Sequence, residues 1–338
     1  MAEVVDPDIR GGLSVTTRVM FHFGSLIMIW VGPAVSYKTL NNWLTVLPLL
    51  SFAVIYQIPE SPYYLLKVGK EEEAKKELSR LQENVTDDIE TQFERMKMHV
   101  VKEMKNPSSF LQFISNRMYR KALIITAGLK LIYMLSGTPV IQVYFFKIIL
   151  EGNIQMNPRS MVDVQVASKF VVGIIAAFLV DRLGRRILLL NSLIGVTISL
   201  AVIGFYYVIR EHVNEMVKLY GYIAFAGIIF FLISTAFGLI SIKDVVEVEL
   251  FPLNVRAMSL VTLYVLGGLN FPIIDGFQKL EEMAGLSSVF WIYATVACIG
   301  CVFIHYLLPE TKGKSLKEIQ DILRGEFEDV NEQEMSTV

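Results

Sequence analysis

Five ionisable residues interrupt long apolar segments of the sequence: Lys130, Lys169, Lys243, Asp244 and Glu247. A charged side chain at the centre of a bilayer costs at least about 2.5–3.5 kcal/mol on insertion scales, so such residues usually pair with one another or contact a ligand. Lys130 is the clearest case because it lies in the middle of its segment. Its ammonium favours either an anionic ligand or an internal pair with Asp244 or Glu247, and we expect the internal pair.

The other charges have less specific explanations. Lys243 and Asp244 lie about four residues from the end of their segment, roughly 6–9 Å at the rise of an α-helix, so they are expected to reach the interface or to pair locally. Lys169 either pairs with another helix or lies at the end of a shifted segment.

No residue pattern typical of catalysis accompanies these charges. The four histidines are scattered at positions 22, 99, 212 and 305, with no phosphate-binding loop, nucleophile–base pair or metal cluster. Cys298 and Cys301 are one helical turn apart without a basic neighbour, which favours packing over redox chemistry. We predict that the protein is not an enzyme and needs no metal or cofactor.

Composition indicates a membrane protein. Hydrophobic residues make up 53% of the chain and charged residues only 19%, and the mean hydropathy is +0.49, whereas soluble domains carry about 25% charge. Lys and Arg concentrate in alternate loops rather than in one basic patch, which excludes a nucleic-acid partner. The lipid bilayer is the predicted partner, and oligomeric state is not indicated.

Eight apolar segments are candidate membrane spans, although the first two are somewhat shorter than the ~20 residues of a typical span. Asn41 and Asn42 are expected to form the tight turn between those two. The segments are 19–35, 43–58, 122–146, 162–180, 187–209, 220–248, 257–274 and 289–308.

The distribution of basic residues orients these spans. The positive-inside rule places both termini and the central charged segment in the cytoplasm, in a multi-pass protein of the plasma membrane. The basic residues outside the central segment that share this side are Arg10, Arg18, Arg182, Arg185, Arg186, Arg256, Lys312, Lys314 and Lys317.

The central segment, residues 59–118, has helical periodicity. One apolar stripe contains Ala74 and Leu78, and a second contains Phe93 and Val100 after a capping Asp87. These stripes predict small amphipathic helices on the aqueous face of a membrane domain, with a solvated linker as the alternative. The tail after Pro309 repeats the pattern, with apolar residues at 316, 319, 322 and 323, and ends in an acidic stretch.

Four short stretches match one family in order. Residues 2–11, 59–66 (PESPYYLL), 181–186 (DRLGRR) and 309–313 (PETKG) resemble the loop after the fourth helix and the PESPRWL, DRxGRR and PETKG motifs of the sugar porters of the major facilitator superfamily. Within that family the chain is most similar to the insect trehalose and glucose facilitators. The second motif has Tyr63 in place of arginine.

The resemblance implies an all-α membrane protein, a major facilitator-like bundle whose eight transmembrane helices are equivalent to the last eight of twelve. Residues 1–58 would be the last two helices of the N-terminal half, 59–118 a cytoplasmic helical linker, 119–310 the six-helix C-terminal half and 311–338 a cytoplasmic tail.

The function implied is that of a facilitative hexose or trehalose carrier with a small-molecule sugar as ligand. Carriers of this type hold the substrate between two six-helix halves, so the chain as given is expected to be incomplete and not to move these sugars. The alternative is a non-transporting membrane protein that acts in sensing or partner binding.

The resemblance also locates a sugar site. The family presents amides to sugar hydroxyls at positions that correspond here to Lys130, Tyr133, Met134 and Pro139. A site without these amides leaves polar groups unpaired at about 1–3 kcal/mol each, so weak sugar binding is expected. The flexible Gly- and Pro-rich break that the family carries before Glu249 is expected to be mostly lost.

A conformational latch is the second site that the resemblance implies. Cationic side chains and carboxylates at helix ends hold such proteins closed on one side, whereas topology alone would explain the arginines but not a glutamate among them. The predicted latch residues are Arg182, Arg185, Arg186, Glu249, Arg256, Glu60 and Glu310.

The predicted orientation is testable with epitope tags. A tag inserted at Glu90 and one at the C-terminus should both be inaccessible to external antibody in intact cells, because the basic residues place both in the cytoplasm. Permeabilisation should expose both tags. Labelling of either tag before permeabilisation would show that the orientation is wrong.

Overall fold

A computed structural model of the chain describes residues 10–56, 60–81, 89–105, 110–152, 157–212, 217–314 and 316–324. Within these ranges the secondary structure is helical throughout, without a strand. The chain divides into two compact units. One comprises Met1–Arg10 and Ile27–Ser109, and the other Gly11–Leu26 and Phe110–Val338. The four-part domain division expected from the sequence stays a prediction.

The first five helices follow the apolar and charged stripes of the sequence, with one correction. Asn41 and Asn42 lie inside a helix, so the turn predicted there is wrong; the chain turns instead through a 3₁₀ segment at Gly32–Ala34, where Pro33 begins a new turn. The helices are α1 (Arg10–Val31), α2 (Tyr37–Ile55), α3 (Pro62–Lys67), α4 (Glu71–Leu81) and α5 (Ile89–Lys105).

Helices α3, α4 and α5 bury their apolar stripes against one another. Ala74 and Leu78 of α4 and Phe93 and Val100 of α5 are all buried in one cluster, which confirms the predicted stripes at these positions. The ammonium of Lys97 donates to Glu71 at 2.5 Å, and this hydrogen bond raises the pKa of the lysine. The predicted cap Asp87 lies outside the described residues.

The second unit contains the remaining helices, together with the Gly11–Leu26 part of α1. Its helix α15 is one continuous element except at Gly285, where φ is 77° and ψ is 156° and the helix kinks sharply. The helices are α6 (Phe110–Ser115), α7 (Arg117–Leu135), α8 (Thr138–Val143), α9 (Phe145–Glu151), α10 (Pro158–Leu183), α11 (Arg185–His212), α12 (Val217–Ser234), α13 (Ser241–Glu249), α14 (Leu253–Gly267), α15 (Asn270–Leu307) and α16 (Leu316–Arg324).

Four helical stretches among the described residues are long and apolar enough to cross a membrane: Arg159–Val180, Arg185–Arg210, Gly221–Glu249 and Val255–Leu307. The last is 53 residues long. A continuous helix of that length would extend about 80 Å, far beyond a ~30 Å hydrocarbon core. The turn at Gly268 and Leu269 and the kink at Gly285 divide it, and the kink separates the two apolar segments predicted there.

Close helix contacts in this unit depend on glycine. A Cβ atom added to Gly128 of α7 would lie 2.2 Å from Cζ of Phe303 in α15, and one added to Gly300 would lie 2.8 Å from Cγ2 of Ile132. Because both sides of such a contact are apolar in lipid, close packing rather than the hydrophobic effect stabilises it. The two glycines therefore set how closely α7 and α15 approach.

This contact predicts a difference between two glycine substitutions. Gly128→Ala should lower the free energy of unfolding by about 1–3 kcal/mol, because Phe303 has to move to accommodate the methyl group. Gly276→Ala is the matched control, since a Cβ there meets no atom within 4 Å. Thermal or denaturant unfolding in detergent measures both. Equal stability of the two variants would contradict the proposed role of Gly128.

Candidate functional site

Helix α7 ends at a sharp break. Gly137 adopts φ 75°, and a Cβ there would lie 2.2 Å from Cδ2 of Tyr293, so only glycine fits both the backbone and the contact. The Ser136 hydroxyl donates to the carbonyl of Tyr133 at 3.2 Å, which satisfies a group at the helix end. Thr138 then begins α8, with Pro139 in its first turn. The break leaves Lys130, Tyr133 and Met134 on the last two turns of α7.

A second break separates α12 from α13. Thr235–Leu239 form a π-helical segment, so the backbone is irregular here but stays helical. The expected loss of the flexible Gly- and Pro-rich break stays a prediction. Ser192 of α11 stabilises it: its hydroxyl donates to the Ser234 carbonyl at 2.6 Å and accepts from the Leu239 amide at 3.0 Å. Polar side chains of a neighbouring helix commonly satisfy such interrupted backbone groups at membrane depth. The π segment orients α13, which carries Lys243, Asp244 and Glu247.

A cavity of about 570 Å³ lies between α7, α13, α14 and α15. Its volume is in the range of small-molecule sites. Among its lining residues are three of the four positions predicted for sugar contact, Lys130, Tyr133 and Met134. Pro139 is buried in α8 and does not line the cavity. The left-handed turn at Gly137 redirects the chain before Pro139.

Two lysines and two carboxylates face this cavity, and we call them the charged tetrad: Lys130, Lys243, Asp244 and Glu247. Glu247 connects them, because its Oε1 lies 3.6 Å from the Lys130 ammonium and 3.7 Å from the Lys243 ammonium. Lys243 also pairs with Asp244. The internal pair predicted for Lys130 is therefore confirmed, with Glu247 as the partner.

Aromatic rings cover the two ammonium groups. The Lys130 nitrogen lies 5.1 Å from the ring centroid of Tyr264, and the Lys243 nitrogen 5.3 Å from that of Tyr133. A cation over an aromatic face gains about 0.5–2 kcal/mol, more where water is excluded. Tyr133 thus contributes to the cavity through its ring face.

Two buried oxygen atoms at the cavity lack a hydrogen-bond donor among the described residues. They are Oε1 of Glu247 and Oδ1 of Asn270. A buried acceptor without a donor is costly, so both atoms favour a ligand that donates hydrogen bonds. Asn270 and Tyr264 were not predicted from the sequence, although the lone amide after Gly267 and Gly268 in an apolar segment was a usable signal.

Lys169 lies apart from this site. It is buried on α10, within the second unit, and among the described residues none pairs with its ammonium. The predicted alternative that it pairs with another helix is therefore not supported by the described part of the chain.

A second polar cluster, the arginine–carboxylate network, joins the ends of α11, α13 and α15. Arg185 donates to Glu249 at 2.9 Å, and the Glu249 carboxylate also accepts from the Thr311 hydroxyl at 2.6 Å. Glu310 accepts from the backbone amides of Arg185 at 2.9 Å and Arg186 at 3.1 Å, at the positive end of α11. A Cβ at Gly184 would lie 2.6 Å from this carboxylate, so glycine permits its approach.

The other predicted latch residues lie in different environments. Arg182 is exposed, and its backbone carbonyl accepts from Lys312 at 2.6 Å. Arg256 donates to the Phe251 carbonyl at 3.3 Å. Glu60 belongs to the first unit and is exposed. Thr311 is a network member that the sequence did not predict.

The network predicts unequal effects of two arginine substitutions. Arg185→Gln removes one partner of an ion pair whose side chains are only 6% and 13% exposed, so stability should fall by about 3–5 kcal/mol. Arg182→Gln, the same change at an exposed position in the last turn of α10, should have little effect. Denaturant unfolding in detergent is the measurement. A similar loss in both variants would show that the buried pair is not what stabilises the network.

Comparison with known proteins identifies the family to which the chain is similar. The sequence model described as "Sugar (and other) transporter" matches residues 1–323. "Sugar transporter ERD6-like 10" of Arabidopsis thaliana is 31% identical over 96% of this chain and 70% of its own length. "Facilitated trehalose transporter Tret1" of Apis mellifera ligustica is 26% identical, and the match covers 95% of this chain and 64% of the honeybee protein.

Solved structures show the same fold. The proton:xylose symporter XylE bound to 6-bromo-6-deoxy-D-glucose superposes with a TM-score of 0.78 and 21% identity, covering 95% of this chain and 69% of XylE. This likeness establishes the fold of a multi-pass membrane protein. Because the family match extends over almost the entire sequence, the chain belongs to the sugar transporter family.

Proposed function

We propose that the chain contributes the solute-binding cavity of a facilitative carrier for a hexose or trehalose. The observation that carries the proposal is the cavity at the break of α7, where Glu247 and Asn270 present acceptors and Lys130 and Lys243 present donors. A sugar offers a ring of hydroxyls, each of which donates and accepts. The cavity's paired donors and acceptors match that chemistry.

The helix breaks support a carrier rather than a static binding protein. Transporters commonly bind solute at discontinuous helices, where backbone irregularity is tolerated because it lines a cavity. Here α7 breaks at Gly137 and α12 breaks at Thr235–Leu239, and both breaks adjoin cavity residues. Solute binding at these breaks would favour one relative arrangement of the helical segments on either side of them.

The arginine–carboxylate network is proposed to be a latch of this carrier. It connects the end of α13 to α11 and to the segment after α15, so it opposes separation of these three ends. A carrier alternates between conformations, and charge-assisted hydrogen bonds at helix ends are a common way to stabilise one of them. Glu249 is the central member because it holds Arg185 and Thr311 together.

The membrane arrangement is also part of the proposal. It has eight spans, with the helices of residues 59–118 and both termini in the cytoplasm of the plasma membrane. The distribution of basic residues supports it. Among the described residues, four helical stretches are long and apolar enough to be such spans. The loss of family amides at Tyr133 and Met134 stays a prediction; in their place the charged tetrad supplies polar contacts.

Equilibrium binding tests the function directly. Purified chain in detergent should bind labelled glucose or trehalose in a saturable manner that unlabelled sugar displaces. Asn270→Ala should weaken binding about tenfold, because it removes an amide at the cavity. Asn191→Ala, the same change at an exposed position of α11, should bind as the unmodified chain does.

Two outcomes would count against the proposal. Absence of displaceable binding of either sugar would show that the cavity is not a sugar site. Equal loss of affinity in the Asn270→Ala and Asn191→Ala variants would place the binding site elsewhere.

A further inference from the structure

The Lys130 ammonium and the Glu247 carboxylate are close enough to form an ion pair but too far apart for a hydrogen bond. Glu247 Oε1 lies 3.6 Å from the Lys130 ammonium and 3.7 Å from the Lys243 ammonium, which is ion-pair distance. Within the part of the chain that the structure describes, no donor forms a hydrogen bond to this oxygen. Hydrogen bonds from ammonium to carboxylate are typically about 2.7–2.9 Å long. The geometry therefore leaves hydrogen-bonding capacity on both sides of the pair.

A hydroxyl group matches this arrangement better than other common polar groups. It donates one hydrogen bond and accepts others, so one hydroxyl can donate to Glu247 Oε1 and accept from the Lys130 ammonium. An ammonium group only donates, and a carboxylate only accepts, so either would satisfy one member of the pair and repel the other. Hydrogen bonds to ionised partners are also roughly twice as strong as neutral ones.

The charge balance of the tetrad also favours a neutral solute with hydroxyl groups. Lys130 and Lys243 carry two positive charges, Asp244 and Glu247 two negative charges, and three of these residues are buried. A neutral solute leaves this balance intact. An ionised solute would add a net charge to a site of low dielectric, which is strongly unfavourable.

We propose that the Lys130–Glu247 pair is a hydroxyl-binding subsite and the specificity determinant that restricts the cavity to uncharged polyhydroxy solutes. This inference rests on the proposed function, because it takes the cavity as the solute site. It assigns to Glu247 and Lys130 the selectivity against sugar acids and amino sugars. It also argues against the alternative of an anionic ligand at Lys130.

Charge-altering variants test the subsite. Binding of glucose, glucuronate and protonated glucosamine is measured by calorimetry on the purified full chain. The unmodified chain should bind glucose at least about tenfold more tightly than either ion. Glu247→Gln gives the cavity a net positive charge, so it should weaken glucose binding and reverse the preference toward glucuronate. Lys130→Met gives the opposite charge and should shift the preference toward glucosamine.

Two further variants separate electrostatics from misfolding. The double variant Lys130→Met with Glu247→Gln restores neutrality, so it should again prefer glucose to both ions, with lower affinity. Glu282→Gln makes the same substitution at an exposed position outside the cavity and should retain the ligand preference of the unmodified chain. Chromatographic profile and melting temperature show whether each variant is folded.

The result can contradict the inference without contradicting the proposed function. If the unmodified chain binds glucose and folded variants show the same order of preference for the three ligands, the pair does not set specificity although the cavity is a sugar site. Tight glucuronate binding by the unmodified chain would also overturn the inference. If the unmodified chain binds no sugar, both proposals fail.

Discussion

The pairing of buried charge is the constraint to which the rest of the second unit conforms. Lys130 occupies the middle of an apolar helix, and an unpaired ammonium there would be costly. Its partner Glu247 comes from α13, so the bundle has to hold α7 and α13 at ion-pair distance. The glycine contacts of α7 with α15 and the side-chain support of the π segment are what keep those helices in place.

Both helix interruptions have the same physical solution. Breaking the α-helical hydrogen-bond pattern exposes carbonyl and amide groups that the hydrocarbon core of a membrane does not satisfy. Ser136 satisfies a carbonyl at the end of α7, and Ser192 bridges both sides of the π segment. The breaks are therefore stable features, and they direct polar side chains of α7 and α13 into one cavity.

Helix α13 connects the two polar clusters of the unit. Glu247 faces the cavity, whereas Glu249, two residues later, holds Arg185 and Thr311. Residues two apart on a helix point in different directions, so one short helix contacts both clusters without mixing them. A rotation or shift of α13 would change both sets of contacts, which gives a physical route by which solute in the cavity could affect the network.

The sequence alone determined the helical class, the apolar stripes of α4 and α5 and the need for Lys130 to be paired, because periodicity and charge burial are properties of the chain itself. It did not determine which carboxylate pairs with Lys130, because Asp244 and Glu247 are three residues apart and the rotation of α13 decides between them. Only the tertiary structure showed that Pro139 does not line the cavity and that Thr235–Leu239 form a π segment. It also showed that Asn270 lines the cavity and that Thr311 belongs to the arginine–carboxylate network. Each follows from contacts between residues far apart in the chain, and local sequence does not encode the distance between helices.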